Sequence, residues 1–314
     1  MKLSVIICSY NGERYIEQQI NSILQQIRLP NEIIVIDDNS SDDTFNIARD
    51  IVNNIDIGAQ IICERNIKNL GYVKNFEKAS QKATGDIVVF ADQDDWWYPE
   101  KLQKIEQVFE ENPTINFAFS DGEVVDSKLN KFNFSLLDSK GIKREDKSKI
   151  KDGELFSYLL KYNIVTGATM AVKREFLSQL IPFPEVWVHD AWVSMIASEK
   201  QQYYYIDECL IKYRIHENNN IGTSKGMLRQ VQSLKKQKNT AKRNFEQTKQ
   251  LLNYSEAHFS DFNKSIIKDK NIFFESRYNY PNNSIIRFFC VFKNVLKGNY
   301  KRFANGKKSA LKDL

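Results

Sequence analysis

The chain has 314 residues, a formal net charge of +5 and 42% hydrophobic residues, enough to bury a full core and ordinary for a globular protein in water. LSVIICSY at the start is too short for a secretion signal, and no run reaches the roughly 18 apolar residues of a membrane-spanning helix. The four cysteines, Cys8, Cys63, Cys209 and Cys290, form no CxxC pair, which argues against a zinc site or disulfide framework and fits a reducing cytosol.

In chain order, Leu3–Cys8 is an apolar, β-branched run suited to a strand buried on both faces. Arg14–Gln26 places Ile16, Ile20, Ile23 and Leu24 at helical spacing. Glu32–Asp38 reads as a second strand ending in two carboxylates, and Ser41 is the expected N-cap of a helix over Asp42–Asn53. Ile61–Cys63 is a short third strand, Val73–Thr84 a helix broken by Gly85, and Asp86–Asp92 a fourth strand. A helix led by Pro99 runs to about Glu111. Phe117–Asp126 is strand and turn, and Lys128–Lys151, polar and charged, is expected to be a mobile loop over the site. The alternation predicts an α/β fold with a mainly parallel sheet flanked by helices.

From Ile221 the composition shifts to about 20 Lys and Arg against about 6 Asp and Glu, so the rest is net acidic. Long helices are predicted over Met227–Asn253 and Ser284–Leu296. The chain therefore divides into a region of alternating strands and helices, 1–222, and a helical, basic C-terminal extension, 223–314. In the second long helix Phe288, Phe289 and Phe292 interleave with Arg287, Lys293 and Lys297. Such a face lies in a membrane interface or packs on the main domain, and composition favours neither.

Ligands of an open parallel sheet bind beyond the carboxyl ends of its strands. Those ends carry Ser9, Tyr10 and Asn11, then Asp37 and Asp38, then Glu64, Arg65 and Asn66, then Asp92, Asp94 and Asp95. Carboxylates converging there repel one another unless a cation sits among them, and an all-oxygen set suits Mg²⁺ or Mn²⁺. The run ADQDDWW (Ala91–Trp97) adds two tryptophans that offer an apolar wall or sugar platform.

Taken in order, SVIICSYNGERYIEQQINSIL, EIIVIDDNSSDDT, NLGYVKNFEKA, GDIVVFADQDDWWYPEKL, VTGATMAVKRE, VWVHDAWV and YRIHENNNIG resemble family 2 glycosyltransferases of the Rossmann-like GT-A fold, over roughly residues 1–222. DQDDWW, HDAW and YRIHENN are similar to a bacterial subgroup that includes rhamnosyltransferases of surface-polysaccharide assembly. The resemblance implies that Asp38 accepts the N3–H of a uracil or thymine base framed by Ser9 and Tyr10. It implies that Asp92 and Asp94 hold a divalent metal, Mn or Mg, with His216 completing the site. Asn11, Glu13, Asn66, Gly71, Lys74 and Gln93 are expected along the donor, although Lys74 departs from the usual small residue or arginine. Asp190 matches the catalytic base of an inverting transfer, which takes the proton of the acceptor hydroxyl. His189 replaces the common glutamate beside it; with Trp97, Gly167, Trp187 and Trp192 it is expected on the acceptor side.

The expected reaction moves a sugar, best matched by L-rhamnose from dTDP-rhamnose, to a saccharide or polyprenyl-linked acceptor; a UDP-hexose donor is the alternative. The expected place is the cytoplasm, peripheral on the inner membrane face through the C-terminal helices, with no nucleic-acid partner. Nucleotidyl transfer would want a Gly-rich phosphate loop, for which NGER (Asn11–Arg14) is too thin. A non-catalytic binding module would have no need of Asp92, Asp94 and Asp190 together.

Overall fold

The computed structural model describes residues 1–216 and 234–314, with side chains in the second block from residue 239. The expected boundary at 222/223, Asn218–Asn220 and the start of the Met227–Asn253 helix lie outside the described residues. The chain forms two compact units, 1–153 with 165–216, and 154–164 with 234–314. A stretch from the middle of the chain thus belongs with the C-terminal helices.

The first unit opens with β1 (Leu3–Ser9), α1 (Ile16–Leu24), β2 (Glu32–Asp37), α2 (Thr44–Asn53), β3 (Gln60–Arg65), α3 (Tyr72–Lys82) and β4 (Ile87–Asp92). The strands lie in the order β3-β2-β1-β4, all parallel. β1 and β2 are buried along their whole length, which is why they read as continuous apolar runs rather than alternating ones. α1 covers them with Ile16, Ile20 and Ile23. The register sets Ser9 beside Asp37 and Cys8 beside Asp92. The C-terminal ends of β1, β2 and β4 therefore finish flush, and three separate motifs meet at one edge.

Ser41 does not cap α2. That helix has no side-chain cap at its N-cap residue, and the Ser41 N–H donates instead to Asn11 Oδ1 (2.8 Å). Ahead of β4, the Gly85 N–H donates to Ser4 Oγ (2.8 Å). A Cβ at Gly85 would lie 2.9 Å from both Lys2 O and Ser4 N. Gly85→Ala is expected to destabilise by about 1–3 kcal/mol, as overpacking does; a urea midpoint equal to the parent's would contradict this.

The sheet continues through β5 (Trp96–Trp97), α4 (Lys101–Glu111), β6 (Phe117–Val125), β7 (Lys131–Ser135), α5 (Leu136–Ser139) and α6 (Arg144–Lys149). After α7 (Leu155–Leu159), which belongs to the other unit, come a 3₁₀ turn at Gly167–Thr169, β8 (Met170–Lys173), α8 (Arg174–Gln179), α9 (His189–Glu199) and β9 (Tyr203–Arg214). The strand order runs on as β8-β6-β9-β5, with β7 on β6. β8 is antiparallel to β4 and β6, β6 and β9 are parallel, β5 is antiparallel to β9, and β7 is antiparallel to β6. The sheet is parallel over its first four strands and mixed beyond them. The reversal comes from β8, four residues long and too short to announce itself in sequence.

Lys128–Lys151 is not a bare loop. It supplies β7, α5 and α6, a Ser135–Asp138 capping box starts α5, and Leu136, Leu137, Ile142 and Ile150 are buried. These few apolar residues, scattered among charges, suffice to pin the segment to the sheet.

The second unit contains α7, α10 (Leu234–His258), α11 (Asp261–Tyr278), α12 (Ser284–Leu296), α13 (Asn299–Phe303) and α14 (Lys307–Asp313). It buries Leu251, Ile267, Phe273 and Phe303; Phe156 of α7 meets Phe259 edge-on. Arg277 grips Asp313 through two hydrogen bonds, 2.6 and 2.9 Å. Among the described residues, no helix is long and apolar enough to cross a membrane.

Candidate active site

The loops at the flush edge are knitted together by their own side chains. Asp37, fully buried, accepts Ser9 Oγ (3.1 Å) and the Ser40 N–H (2.9 Å). It is a loop clamp and not a member of the acidic cluster that the sequence suggests. Asp38 accepts Asn66 Nδ2, the Leu70 N–H and the Gly71 N–H, each at 2.8 Å. A carboxylate has about four acceptor positions, so one remains for a ligand. Gly71 reaches this contact with φ +82°, a backbone region open to glycine. Asn66 bridges Asn75 (2.9 Å) and Lys78 (2.9 Å).

The Gln93 amide straddles Tyr10, accepting its N–H (2.7 Å) and donating to its carbonyl (3.0 Å). Asn11 and Glu13 tie the first loop to the start of α2, through Ser41 and the Asp43 N–H (3.1 Å). Ser9, Asn11, Glu13, Asn66 and Gln93 thus shape the edge, while the Tyr10 ring, 44% exposed, faces outward. Lys74 pairs with Glu77 at 3.0 Å on its own helix.

β4 delivers the acids. Asp94 Oδ2 lies 2.8 Å from His216 Nε2, 122 residues apart in sequence and joined because β9 ends beside β5. Burial, then the charges of Asp94 and Asp190, push the Asp92 carboxyl up to about 7, against the pull of Lys101. Asp95 turns away: its Oδ1 accepts the Arg214 N–H (3.1 Å) and its Oδ2 has no hydrogen-bond partner among the described residues. Burial and the neighbouring acids push its carboxyl well up. Asp95 is a scaffold acid.

Two cations that the motifs did not single out hold this centre. Arg214 donates to Asp94 O (2.7 Å), Ser127 O (2.7 Å) and Gln18 Oε1 (2.8 Å), with its guanidinium 4.5 Å from the Tyr15 ring centre. The His216 ring also rests on Tyr15, at 4.8 Å. Lys101, fully buried, donates to Ala168 O (2.7 Å) and sits 3.7 Å over Trp97. Burial lowers its ammonium to about 7, although Asp95 and Asp92 pull it upward. Both residues lie next to recognisable motifs, in YPEKL and YRIH, but only burial separates them from surface charges.

Asp92 and Asp94, with the His216 imidazole beside Asp94, offer hard oxygen and nitrogen donors of the kind Mn²⁺ and Mg²⁺ take. Among the described residues no three His, Cys, Asp or Glu side chains form a ready-made metal cluster. Asp94 and His216 are the pair in direct contact, so a metal held here with Asp92 would need a ligand's oxygens to complete its shell.

Asp190 stands in the first turn of α9, where the helix dipole favours an anion. Its Oδ1 accepts the Ala191 N–H (2.5 Å) and its Oδ2 the Gly167 N–H (3.2 Å). Its charge acts on Asp92 and also on the buried Lys140. The structure thus brings Asp190 from the α9 start into the electrostatic reach of the β4 acids.

The other acceptor-side expectations fare differently. Trp97, Trp187 and Trp192 are 0%, 5% and 3% exposed, so none presents a face to a sugar; they pack as core. Trp96 is the half-exposed member of the pair, with Lys212 Nζ 4.4 Å over its ring. His189 is buried in an aromatic box, 4.4 Å from Phe76 and stacked at 5.5 Å on Phe90. Neither ring nitrogen has a hydrogen-bond partner among the described residues, and burial lowers its pKa. It is enclosed and not open to solvent, and it packs against Gly167, where a Cβ would come within 2.8 Å of Nε2.

The family model "Glycosyl transferase family 2" matches residues 4–180. The dTDP-rhamnosyl transferase RfbG of Shigella flexneri is 26% identical over 230 residues, 69% of this chain and 74% of that protein. S. aureus TarS 1-349, solved in complex with UDP-GlcNAc, superposes with a TM-score of 0.59 at 18% identity, covering 94% of this chain and 81% of that one. The mannosyltransferase PcManGT of Pyrobaculum calidifontis, solved with GDP-Man and Mn²⁺, superposes at 0.57 and 16% identity, covering 95% and 76%. The fold is the GT-A fold of glycosyltransferases. The chain belongs to glycosyl transferase family 2.

Proposed function

We propose that this chain is an inverting, metal-dependent glycosyltransferase that moves L-rhamnose from dTDP-rhamnose to a saccharide or polyprenyl-linked saccharide of the bacterial surface, working in the cytoplasm at the inner membrane face. One observation carries the reading: a carboxylate held by two backbone N–H groups, Asp190, acts electrostatically on the same centre as Asp92 and the Asp94–His216 pair. In the proposed reaction Asp38 takes the N3–H of the donor's base through its remaining acceptor position, and Tyr10 borders the base. A divalent ion held by Asp92, Asp94 and His216 would neutralise charge on the leaving diphosphate. Asp190 accepts the proton of the acceptor hydroxyl as it attacks the anomeric carbon from the opposite face. Gly167 keeps Asp190 aimed, and Arg214 holds the Asp94 loop.

The rhamnose donor is supported by motif likeness and by the RfbG relative; a UDP-hexose donor is the second reading, favoured by the UDP-GlcNAc complex of TarS. Thermal shift with a panel of nucleotide sugars and Mn²⁺ or Mg²⁺ tests the donor. The largest shift is expected from dTDP-rhamnose; a shift from a UDP-hexose alone overturns that assignment. Donor turnover, assayed with and without EDTA, separates an enzyme from a binding module, which would bind without turnover.

A further inference from the structure

We infer that α12 is an in-plane anchor that docks the C-terminal unit on an anionic lipid surface. The helix is amphipathic but inverted. Its polar side faces inward: Asn294 Nδ2 donates to Ser276 Oγ (3.1 Å) and Tyr280 Oη (3.0 Å), and Arg287 Nε donates to Pro281 O (2.9 Å). Val291 is the buried apolar residue on that side. The apolar side faces solvent, with Ile285, Phe289 and Leu296 at 70%, 64% and 72% exposure and Phe288, Phe292 and Val295 also exposed. At 100° per residue these six share one half of the helix circumference. A packing helix turns its apolar stripe to the core; here packing uses the other face, and a contiguous apolar patch is left in water, as at interaction sites.

Charge selects the occupant. Lys293 is exposed on the helix and Lys297 at its C-terminal cap, and Lys301, Lys307 and Lys308 are exposed on the two helices that follow, where Arg302 pairs with Asp269 at 3.0 Å. Asp313 is the sole acidic residue from Ser284 to the end, and Arg277 and Tyr300 occupy it. A second copy docked face to face on a two-fold axis would bring like charges together around the apolar strip. Anionic headgroups answer these lysines at once, while the aromatic face enters the acyl boundary. The length fits as well: 13 residues span about 20 Å, short of the roughly 30 Å needed to cross, so the helix lies in the plane.

Sedimentation of the full chain with vesicles tests this, using phosphatidylcholine alone and phosphatidylcholine mixed with phosphatidylglycerol. Binding to the mixed vesicles is expected, weakening as salt is raised. The triple change Phe288→Ser, Phe289→Ser, Phe292→Ser should weaken it by about tenfold or more. Lys293→Glu with Lys297→Glu should weaken it about fivefold or more, without removing apolar area. An unchanged melting curve shows that the variants fold; if the triple change does not fold, the charge pair and the salt series decide. Absence of wild-type binding to mixed vesicles overturns the inference, as does unaltered binding by the folded variants. Self-association lost in the triple variant, without vesicle binding, would assign the face to a protein interface instead. The assay needs no nucleotide sugar, so its failure leaves the transfer reading intact, and failure of transfer leaves this one intact.

Discussion

Asp190→Asn is expected to reduce transfer by about 10²- to 10⁴-fold while donor affinity stays within about twofold, a span too small to signal a lost donor contact. The substitution keeps the shape of the side chain and its place in the first turn of α9, but an amide cannot take up the acceptor proton. The carboxylate accepts N–H groups on both oxygens, so the amide loses one of these bonds and holds the other. Donor affinity should be preserved because Asp38, Tyr10 and the β4 acids are untouched. Isothermal titration with the donor and initial rates with an acceptor check the two halves separately. A variant that transfers at the parent rate would remove Asp190 from the chemistry; one that no longer binds donor would make it a donor residue.

Asp94→Ala is expected to abolish the stabilisation that Mn²⁺ and a nucleoside diphosphate confer together and to cut turnover by about 10²-fold or more, the scale of a lost metal contribution. EDTA on the parent should reproduce the loss. Asp94 is singled out over Asp95 because it reaches His216, whereas Asp95 is occupied by the β9 backbone. A second signature comes from Asp92, whose carboxyl is raised from an ordinary 3.8 to about 7, with Asp94 the largest cause after burial. A carboxyl raised by folding costs stability progressively as pH climbs from its unfolded value to its folded one. Taking Asp94 away lowers the folded value, so the metal-free variant should gain stability relative to the parent between about pH 4 and pH 7. A relative melting temperature that stays flat across that window, or a retained metal response, would contradict this reading.

The role of Lys101 shows why part of the site escaped sequence reasoning. In YPEKL it is one lysine among 45 basic residues. Its burial beside the acids follows from α4 closing over Trp97, a contact of residues whose individual patterns look ordinary. Trp97 and His189 fail in the opposite direction. Residue type marks them as sugar-stacking or polar, yet β9 covers one and Phe76 and Phe90 enclose the other. Whether an aromatic ring is a platform or core depends on which neighbour arrives, and that is a long-range fact.

What the amino-acid order alone determined is local or repeated along the chain. The apolar β-branched runs became β1, β2 and β4, and the cationic aromatic stretch became α12 with its predicted limits, because strand and helix periods are written residue by residue. The ordered motifs carried the family in the same way. Tertiary structure decided the rest: the reversal at β8, the ordering of Lys128–Lys151 by a few buried aliphatics, the different partners of Asp94 and Asp95, and the outward turn of the α12 apolar face. Each depends on which surfaces meet across many residues. Asp92 and Asp94 could be read from their motif, but Asp94 meets His216 only where β9 returns beside β5.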